Sequence, residues 1–231
     1  MSKLVRIPRQ RVIRQAIMQT ARSGNLNYIF KCIKKYPSTS DKATLASHRT
    51  GLANERGETP LIIASVNGHI HVVRFLVETA KVDLNEYGTI WSADGQPIIG
   101  TALHAAVVAG NIRVLSYLLE VGQSIVDSKT RNGSTPLHLA AIYLAGEIQR
   151  KIVHRLLFYG ADFAIRDSAG NQCWQLTYRL DFIMSIVEFL DKFGLEFGVT
   201  AKIEQTKLKM HLFYFLFLYS ATCIGKLGNS K

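Results

Sequence analysis

Four short segments of this chain open with glycine and are alike enough to indicate an internal repeat. They are GETPLIIA from Gly57, GTALHAA from Gly100, GSTPLHLAA from Gly133 and the weaker GNQCWQL from Gly170. Their starts are separated by 43, 33 and 37 residues. Because a unit of this length cannot bury its apolar face alone, several units are expected to stack into one elongated domain.

The repeated segments carry the signals of a helix start. Thr59-Pro60 and Thr135-Pro136 place proline in the first helical turn, where its missing N–H is not needed. The threonine hydroxyl can accept a hydrogen bond from a backbone N–H of that turn. A second helix is expected after each of the first three segments, because apolar residues recur there at i, i+3 and i+4. The expected ranges are Ile70–Val77, Ile112–Glu120 and Ile148–Phe158.

A period near 33 residues with a Thr-Pro-Leu-His-x-Ala motif is similar to the ankyrin repeat. The resemblance implies an all-α solenoid of about four to five helix pairs with β-hairpin fingers. His104 and His138 occupy the motif histidine, which in that family links neighbouring loops, so we expect scaffold roles rather than metal binding or catalysis. The repeats are expected at residues 15–53, 54–99, 100–132, 133–169 and 170–199, the first being degenerate.

The net charge of +11 is concentrated in the two ends of the chain. Residues 1–49 carry +10, residues 50–200 carry −3 and residues 201–231 carry +4. The basic segment 1–14 is therefore open to two interpretations: a contact with nucleic acid, import receptor or anionic membrane, or the solvated basic end of a first helix. The mildly acidic centre favours a protein-binding body without nucleic-acid contacts.

The cysteines and the polar residues give no pattern of an enzyme or a metal site. Cys32, Cys173 and Cys223 are far apart and odd in number, which supports neither a disulfide framework nor a zinc site. A reduced intracellular compartment, cytoplasmic or nuclear, follows as the expectation. No apolar stretch follows the basic start, so no secretory signal is expected. We expect no cofactor and no catalysis.

An insertion separates the first two clear repeats. Residues 85–99 are rich in turn and strand formers, with Asp94-Gly95 between Thr89–Trp91 and Ile98-Ile99. This arrangement predicts a β-hairpin. It is interpreted either as an elongated ankyrin finger without a special role or as a loop that binds a partner.

The order of these segments resembles the Fem (feminization) ankyrin proteins, which are substrate receptors of cullin-RING ubiquitin ligases. The resemblance is carried by the TPL-x-x-A repeat from Thr59 to Val73, by GTIWSADGQPIIG from Gly88 to Gly100, and by the repeat from Ala102 to Leu119. It implies recognition of the C-terminal tail of a partner protein. A generic ankyrin scaffold that binds the surface of a folded protein is the alternative.

The same resemblance implies which residues bind. Asp94 would pair with a basic C-terminal residue of the partner, and Trp91, Tyr87 and Tyr143 would supply aromatic contacts. A second acidic position of the family is occupied here by the Tyr143-Leu144 pair, so one carboxylate is missing. Trp174 is expected to pack inside the last repeat.

Residues 200–231 match neither the repeat nor the longer Fem proteins. Their apolar segment Leu212–Ile224 is interpreted as a terminal helix, as a membrane-associating tail or as non-native sequence from a misread exon. Because the family continues for several hundred residues, the chain is expected to be a fragment, a truncated gene model or a short divergent paralogue. If the part that engages the ligase adaptor is missing, the chain binds substrate only.

Overall fold

The computed structural model describes residues 9–35, 53–122, 125–177 and 179–193, which belong to two compact units. The first unit ends at Pro136 and the second begins at Leu137. Helices dominate both, and one small two-stranded sheet accompanies them. This composition fits the predicted ankyrin-type repeat solenoid.

The first unit is built from three successive helix pairs among the described residues. The first helices of the three pairs pack side by side, and the second helices of the second and third pairs pack against each other. Small residues allow this close approach, since Ala64, Ala105 and Ala106 are completely buried. The six helices are α1 (Arg9–Ser23), α2 (Asn27–Lys35), α3 (Pro60–Val66), α4 (Ile70–Arg74), α5 (Ala102–Val108) and α6 (Ile112–Val121).

Helix α3 begins at Pro60, as the Thr59-Pro60 pair predicts. Pro60 is its first residue, and the Thr59 hydroxyl oxygen accepts a hydrogen bond from the backbone N–H of Ile62 at 3.3 Å. The following helix differs from expectation, because α4 ends at Arg74 instead of continuing to Val77. A wider π-helical turn covers Phe75–Thr79, and it keeps Leu76 and Val77 buried.

Four tight turns of the same geometry join the repeats. In each, a side-chain oxygen accepts the backbone N–H of the residue four positions later, and a glycine between them has a positive φ. The side chains are Asn54, Ser92, Thr130 and Asp167, and the glycines are Gly57, Gly95, Gly133 and Gly170. The spacing of these glycines is 38, 38 and 37 residues.

This regular spacing corrects the sequence alignment at one position. Gly100 was expected to correspond to Gly57 and Gly133, but it lies in a strand and the equivalent turn glycine is Gly95. The additional residues therefore extend the two arms of the finger. Glycine adopts a positive φ without a steric penalty, which explains why a glycine stands at this position in all four turns.

The expected hairpin is present as β1 (Gly88–Trp91) and β2 (Pro97–Gly100). The strands pair antiparallel with Gly88 opposite Gly100 and Trp91 opposite Pro97. Ile90 lies in a buried cluster with Ile62 and Ala105. The hairpin is thus an elongated finger whose inward side chains join the core of the first unit.

The second unit contains three helices and a 3₁₀ turn among the described residues. Its helices are α7 (Pro136–Tyr143), which begins at the boundary, α8 (Gly146–Phe158) and α9 (Leu180–Phe193). The buried Gln149 amide joins α8 to α7 by donating to the Ala140 and Leu144 carbonyl oxygens at 3.0 and 2.8 Å. A short 3₁₀ turn, Cys173–Leu176, stands where a full first helix was expected. Trp174 in that turn is buried against Phe163, with ring centroids 5.9 Å apart.

The two ends of the chain were predicted to be atypical. Helix α1 begins at Arg9, so residues 9–14 of the predicted basic segment are helical. The segment Leu212–Ile224 lies outside the described residues. Within the described residues, no helix combines the length and the apolar character needed to cross a membrane.

Candidate partner-binding surface

Asp94 lies in the turn of the elongated finger and is exposed. The Ser92 hydroxyl donates a hydrogen bond to its carboxylate, and this bond, followed by backbone N–H groups of the turn, lowers the pKa of Asp94. The carboxylate is therefore ionised at neutral pH. Its backbone position corresponds to Arg56, Asn132 and Ala169 in the other three turns, each the residue before the turn glycine.

The finger is held in place through both of its edges. The Thr89 N–H donates to the Gly57 carbonyl oxygen at 2.8 Å, and the Arg131 N–H donates to the Ile99 carbonyl oxygen at 3.0 Å. The Tyr87 hydroxyl donates to the Lys129 carbonyl oxygen at 2.6 Å. Tyr87 thus has a structural contact through its hydroxyl, while half of the side chain remains exposed.

Trp91 is half-buried beside the preceding turn. The guanidinium carbon of Arg56 lies 4.9 Å from the centroid of the Trp91 ring, a cation–π geometry worth about 0.5–2 kcal/mol. The indole Nε1–H is buried and has no acceptor among the described residues. A buried donor without an acceptor costs about 1–3 kcal/mol, which a ligand can recover by supplying one.

Tyr143 belongs to the second unit, whereas Tyr87, Trp91 and Asp94 share one hairpin of the first unit. It is the last residue of α7 and is half-buried. The neighbouring Leu144 is buried, so the chain presents an apolar core residue where the resembling family has a carboxylate. The role of Tyr143 in binding stays a prediction.

The motif histidines lie in the scaffold. The His104 Nε2–H donates to the Ser128 carbonyl oxygen at 3.0 Å, while its Nδ1 accepts the Thr101 N–H at 3.2 Å. Burial lowers the pKa of His104 to about 4, so the ring is neutral at physiological pH. The His138 Nε2–H contacts the Asn171 carbonyl oxygen at 3.1 Å.

Sequence reasoning placed Arg14 in the basic segment 1–14 but missed the cluster that it forms with Arg22 and Arg56. Arg14, Arg22 and Arg56 line a surface cavity of about 690 Å³, and Arg22 and Arg56 also line a second cavity of about 300 Å³ that includes Trp91. These arginines follow no repeat period, so only the fold brings them together. The one available signal was that Arg56 precedes a turn glycine, as Asp94 does.

No group of three or more His, Cys, Asp or Glu side chains that could hold a metal ion occurs in the described part of the chain. Cys173 is fully buried, and this burial raises the pKa of its thiol. A protonated, enclosed thiol is a poor nucleophile. The surface around Asp94 and Trp91 offers ionic, hydrogen-bonding and aromatic contacts.

Comparison with protein families matches residues 92–167 to ankyrin repeats in three copies and residues 56–87 to an ankyrin repeat. The ankyrin repeats expected from the Thr-Pro-Leu-His motif are thereby confirmed over these residues.

The chain is similar to several known proteins over part of its length. It is 36% identical over 124 residues to a leucine-rich repeat serine/threonine-protein kinase 1 of Caenorhabditis elegans. It is 32% identical over 120 residues to a protein fem-1 homolog of Drosophila melanogaster. It is 27% identical over 177 residues to a putative ankyrin repeat protein of Rickettsia felis. The aligned segments cover 53%, 52% and 63% of this chain and 5%, 17% and 77% of those proteins. The chain thus spans a small share of the length of the kinase and of the fem-1 homolog.

Proposed function

From its ankyrin repeats at residues 56–87 and 92–167 we infer a protein-binding module, and we propose that it recognises the C-terminal tail of a partner as a substrate-binding part of a cullin-RING ubiquitin ligase. Ankyrin repeats are typically non-catalytic interaction modules. The finer proposal is supported by the elongated hairpin and by the 32% identity to a fem-1 homolog. A cytoplasmic or nuclear location is part of the proposal.

The observation that carries the proposal is the placement of Asp94. Its ionised carboxylate is exposed at the tip of a hairpin that is bonded to both neighbouring loops. Such a carboxylate complements the guanidinium or ammonium group of a basic last residue. Since one exposed ion pair is worth about 0–1 kcal/mol, the rings of Tyr87 and Trp91 have to supply further contact area.

Fluorescence anisotropy with labelled peptides tests tail recognition. We expect a peptide ending in arginine with a free carboxylate to bind more tightly than its C-terminally amidated form and than a peptide ending in glutamine. Asp94→Asn keeps an acceptor for the Ser92 hydroxyl and removes the charge, so it should weaken binding by about two- to fivefold.

Asp83→Asn is the matched control, because Asp83 is another exposed carboxylate of the first unit that caps its own turn, at Asn85 N–H. It should leave peptide affinity unchanged. Equal binding of free and amidated peptides, or equal effects of the two substitutions, would refute tail recognition and favour the generic adaptor that binds a folded partner. Co-purification of a cullin and its adaptor with the chain separates ligase membership from tail binding.

A further inference from the structure

An open groove with a basic lining runs along α1 and the turn of residues 54–56. It consists of the two adjoining cavities of about 690 and 300 Å³ that share Arg22 and Arg56, and we call it the arginine groove. Arg14 contributes from α1, about two turns before Arg22 on the same helix. The apolar wall of the smaller cavity includes Ile63 and Val66 of α3. The groove therefore combines cations with an apolar side.

The arginines are only partly neutralised. Arg22 lies 3.8 Å from the Glu58 carboxylate, and Arg14 donates to the Ala53 carbonyl oxygen. Arg56 stacks on Trp91, and no carboxylate among the described residues forms an ion pair with Arg14 or Arg56. Each guanidinium carries five N–H donors, more in total than the Ala53 carbonyl and the Glu58 carboxylate can accept.

Trp91 adds a donor of a different kind. Its Nε1–H is buried and lacks an acceptor within the described residues, although the side chain lines the smaller cavity. The Arg56 guanidinium lines this cavity and stacks on the indole ring, so a carboxylate oxygen bonded to Arg56 comes next to Trp91 and can accept two hydrogen bonds. The hydrogen-bond donors of this groove that have no protein acceptor among the described residues therefore favour an anionic ligand.

We propose that the arginine groove binds an extended acidic peptide segment of a partner protein, with a glutamate or aspartate side chain held by Arg56 and Trp91. This interaction shares Trp91 with tail recognition at Asp94, but it differs from it in needing side-chain carboxylates and no free chain end. The positive charge of the first unit by itself suggests binding of nucleic acid. An acidic protein ligand matches the same charge.

Two features favour a peptide over a nucleic acid in this groove. Glu55 and Glu58 lie in the lining and would repel closely spaced phosphates, whereas a peptide can place neutral residues opposite them. The wall formed by Ile63 and Val66 complements apolar side chains and gives a sugar-phosphate backbone no hydrogen bond.

The test uses the full chain and an end-blocked peptide of alternating glutamate and alanine, acetylated and amidated, with fluorescence anisotropy as the readout. The glutamine counterpart of this peptide is the ligand control. Arg56→Gln should weaken binding of the glutamate peptide by about tenfold, the size of one charge-assisted contact. Trp91→Phe keeps a ring under Arg56 and removes the indole N–H, so it should weaken binding severalfold.

Glu58→Gln provides a test in the opposite direction. It keeps an acceptor for the Asn54 amide, which donates to Glu58 at 2.7 Å, and it releases Arg22 from its carboxylate. Affinity for the glutamate peptide should therefore rise. Arg113→Gln, an exposed charge of α6 outside the groove, is the matched control and should change nothing.

Three outcomes would overturn the proposal: equal affinity for the glutamate and glutamine peptides, equal effects of Arg56→Gln and Arg113→Gln, or tighter binding of an RNA oligonucleotide of the same charge than of the peptide. Circular dichroism confirms folding of each variant, and Glu58→Gln decides the matter if Arg56→Gln does not fold. Because the peptide ends are blocked, failure here leaves the C-terminal tail proposal at Asp94 untouched.

Discussion

The imidazole of His104 donates a hydrogen bond to the carbonyl oxygen of Ser128, 24 residues later in the chain. The other ring nitrogen accepts from the Thr101 N–H at the start of the same helix, so one neutral histidine ties a helix start to the next loop. His138 repeats the contact with Asn171 at 33 residues. In these two repeats the motif histidine therefore couples the repeat to the loop that follows it.

The buried His104 makes stability depend on pH. Its pKa is about 4 in the folded chain and 6.5 when exposed, so the unfolded chain binds the proton more readily. The contribution to stability is fully present above pH 6.5 and is lost as pH falls towards 4; it amounts to about 3 kcal/mol. Urea unfolding at several pH values should show this slope, and His104→Gln, which does not titrate, should flatten it. An unchanged slope in the variant would contradict the assignment.

Loss of the Thr59 cap should destabilise α3. Thr59→Val keeps the shape of the side chain but leaves the Ile62 N–H without its acceptor, so the free energy of unfolding should fall by about 1 kcal/mol. Thr59→Ser retains the hydroxyl and should cost less. Chemical unfolding followed by circular dichroism measures both, and a larger loss for serine would show that the methyl group matters more than the cap.

A side chain at Gly88 should displace the hairpin. A Cβ atom there would lie 2.9 Å from the Gly57 carbonyl oxygen and 2.8 Å from Ile62 Cδ1. Because the first of these is backbone, Gly88→Ala should lower the free energy of unfolding by about 1–3 kcal/mol. Gly95→Asn is the control, since Gly95 faces open space and asparagine tolerates its positive φ. Thermal or urea unfolding should rank the control closer to the parent chain.

Tyr87 combines a structural hydroxyl with an exposed ring. Tyr87→Phe removes the hydrogen bond to Lys129 and should lower the free energy of unfolding by about 0.5–1.5 kcal/mol. It keeps the ring, so affinity for a C-terminal peptide should change little. Tyr87→Ala removes both and should weaken the binding measured by anisotropy. Equal affinities of the two variants would exclude the ring from the binding surface.

Local signals predicted much of the fold. Thr59-Pro60 marks a helix start in the sequence because the capping hydroxyl and the proline act within one turn. The hairpin around Asp94-Gly95 is visible for the same reason, since the turn and its flanking strands are contiguous. The early end of α4 at Arg74 is not visible, because Phe75 to Val77 continue the helical apolar pattern.

The candidate site was harder to predict from the sequence than the fold. Arg56 and Trp91 are brought into contact by two adjacent fingers, and no spacing rule joins residues on different repeats. The register error at Gly100 had a related cause, because the helix start at Thr101 resembles the other starts while the preceding finger is longer. Only the turn hydrogen bonds at Ser92 reveal which glycine is equivalent to Gly57 and Gly133.

The hydrogen bonds at the two edges of the finger also restrict how a partner can dock. Since the Thr89 N–H and the Ile99 carbonyl oxygen are already bonded to neighbouring loops, neither is available to pair with an incoming strand. A ligand therefore cannot bind at these positions by β-augmentation, in which its main chain would form hydrogen bonds with a strand of the hairpin. It must be selected by its side chains and its terminal groups, which leaves the sequence of the ligand as the principal source of specificity.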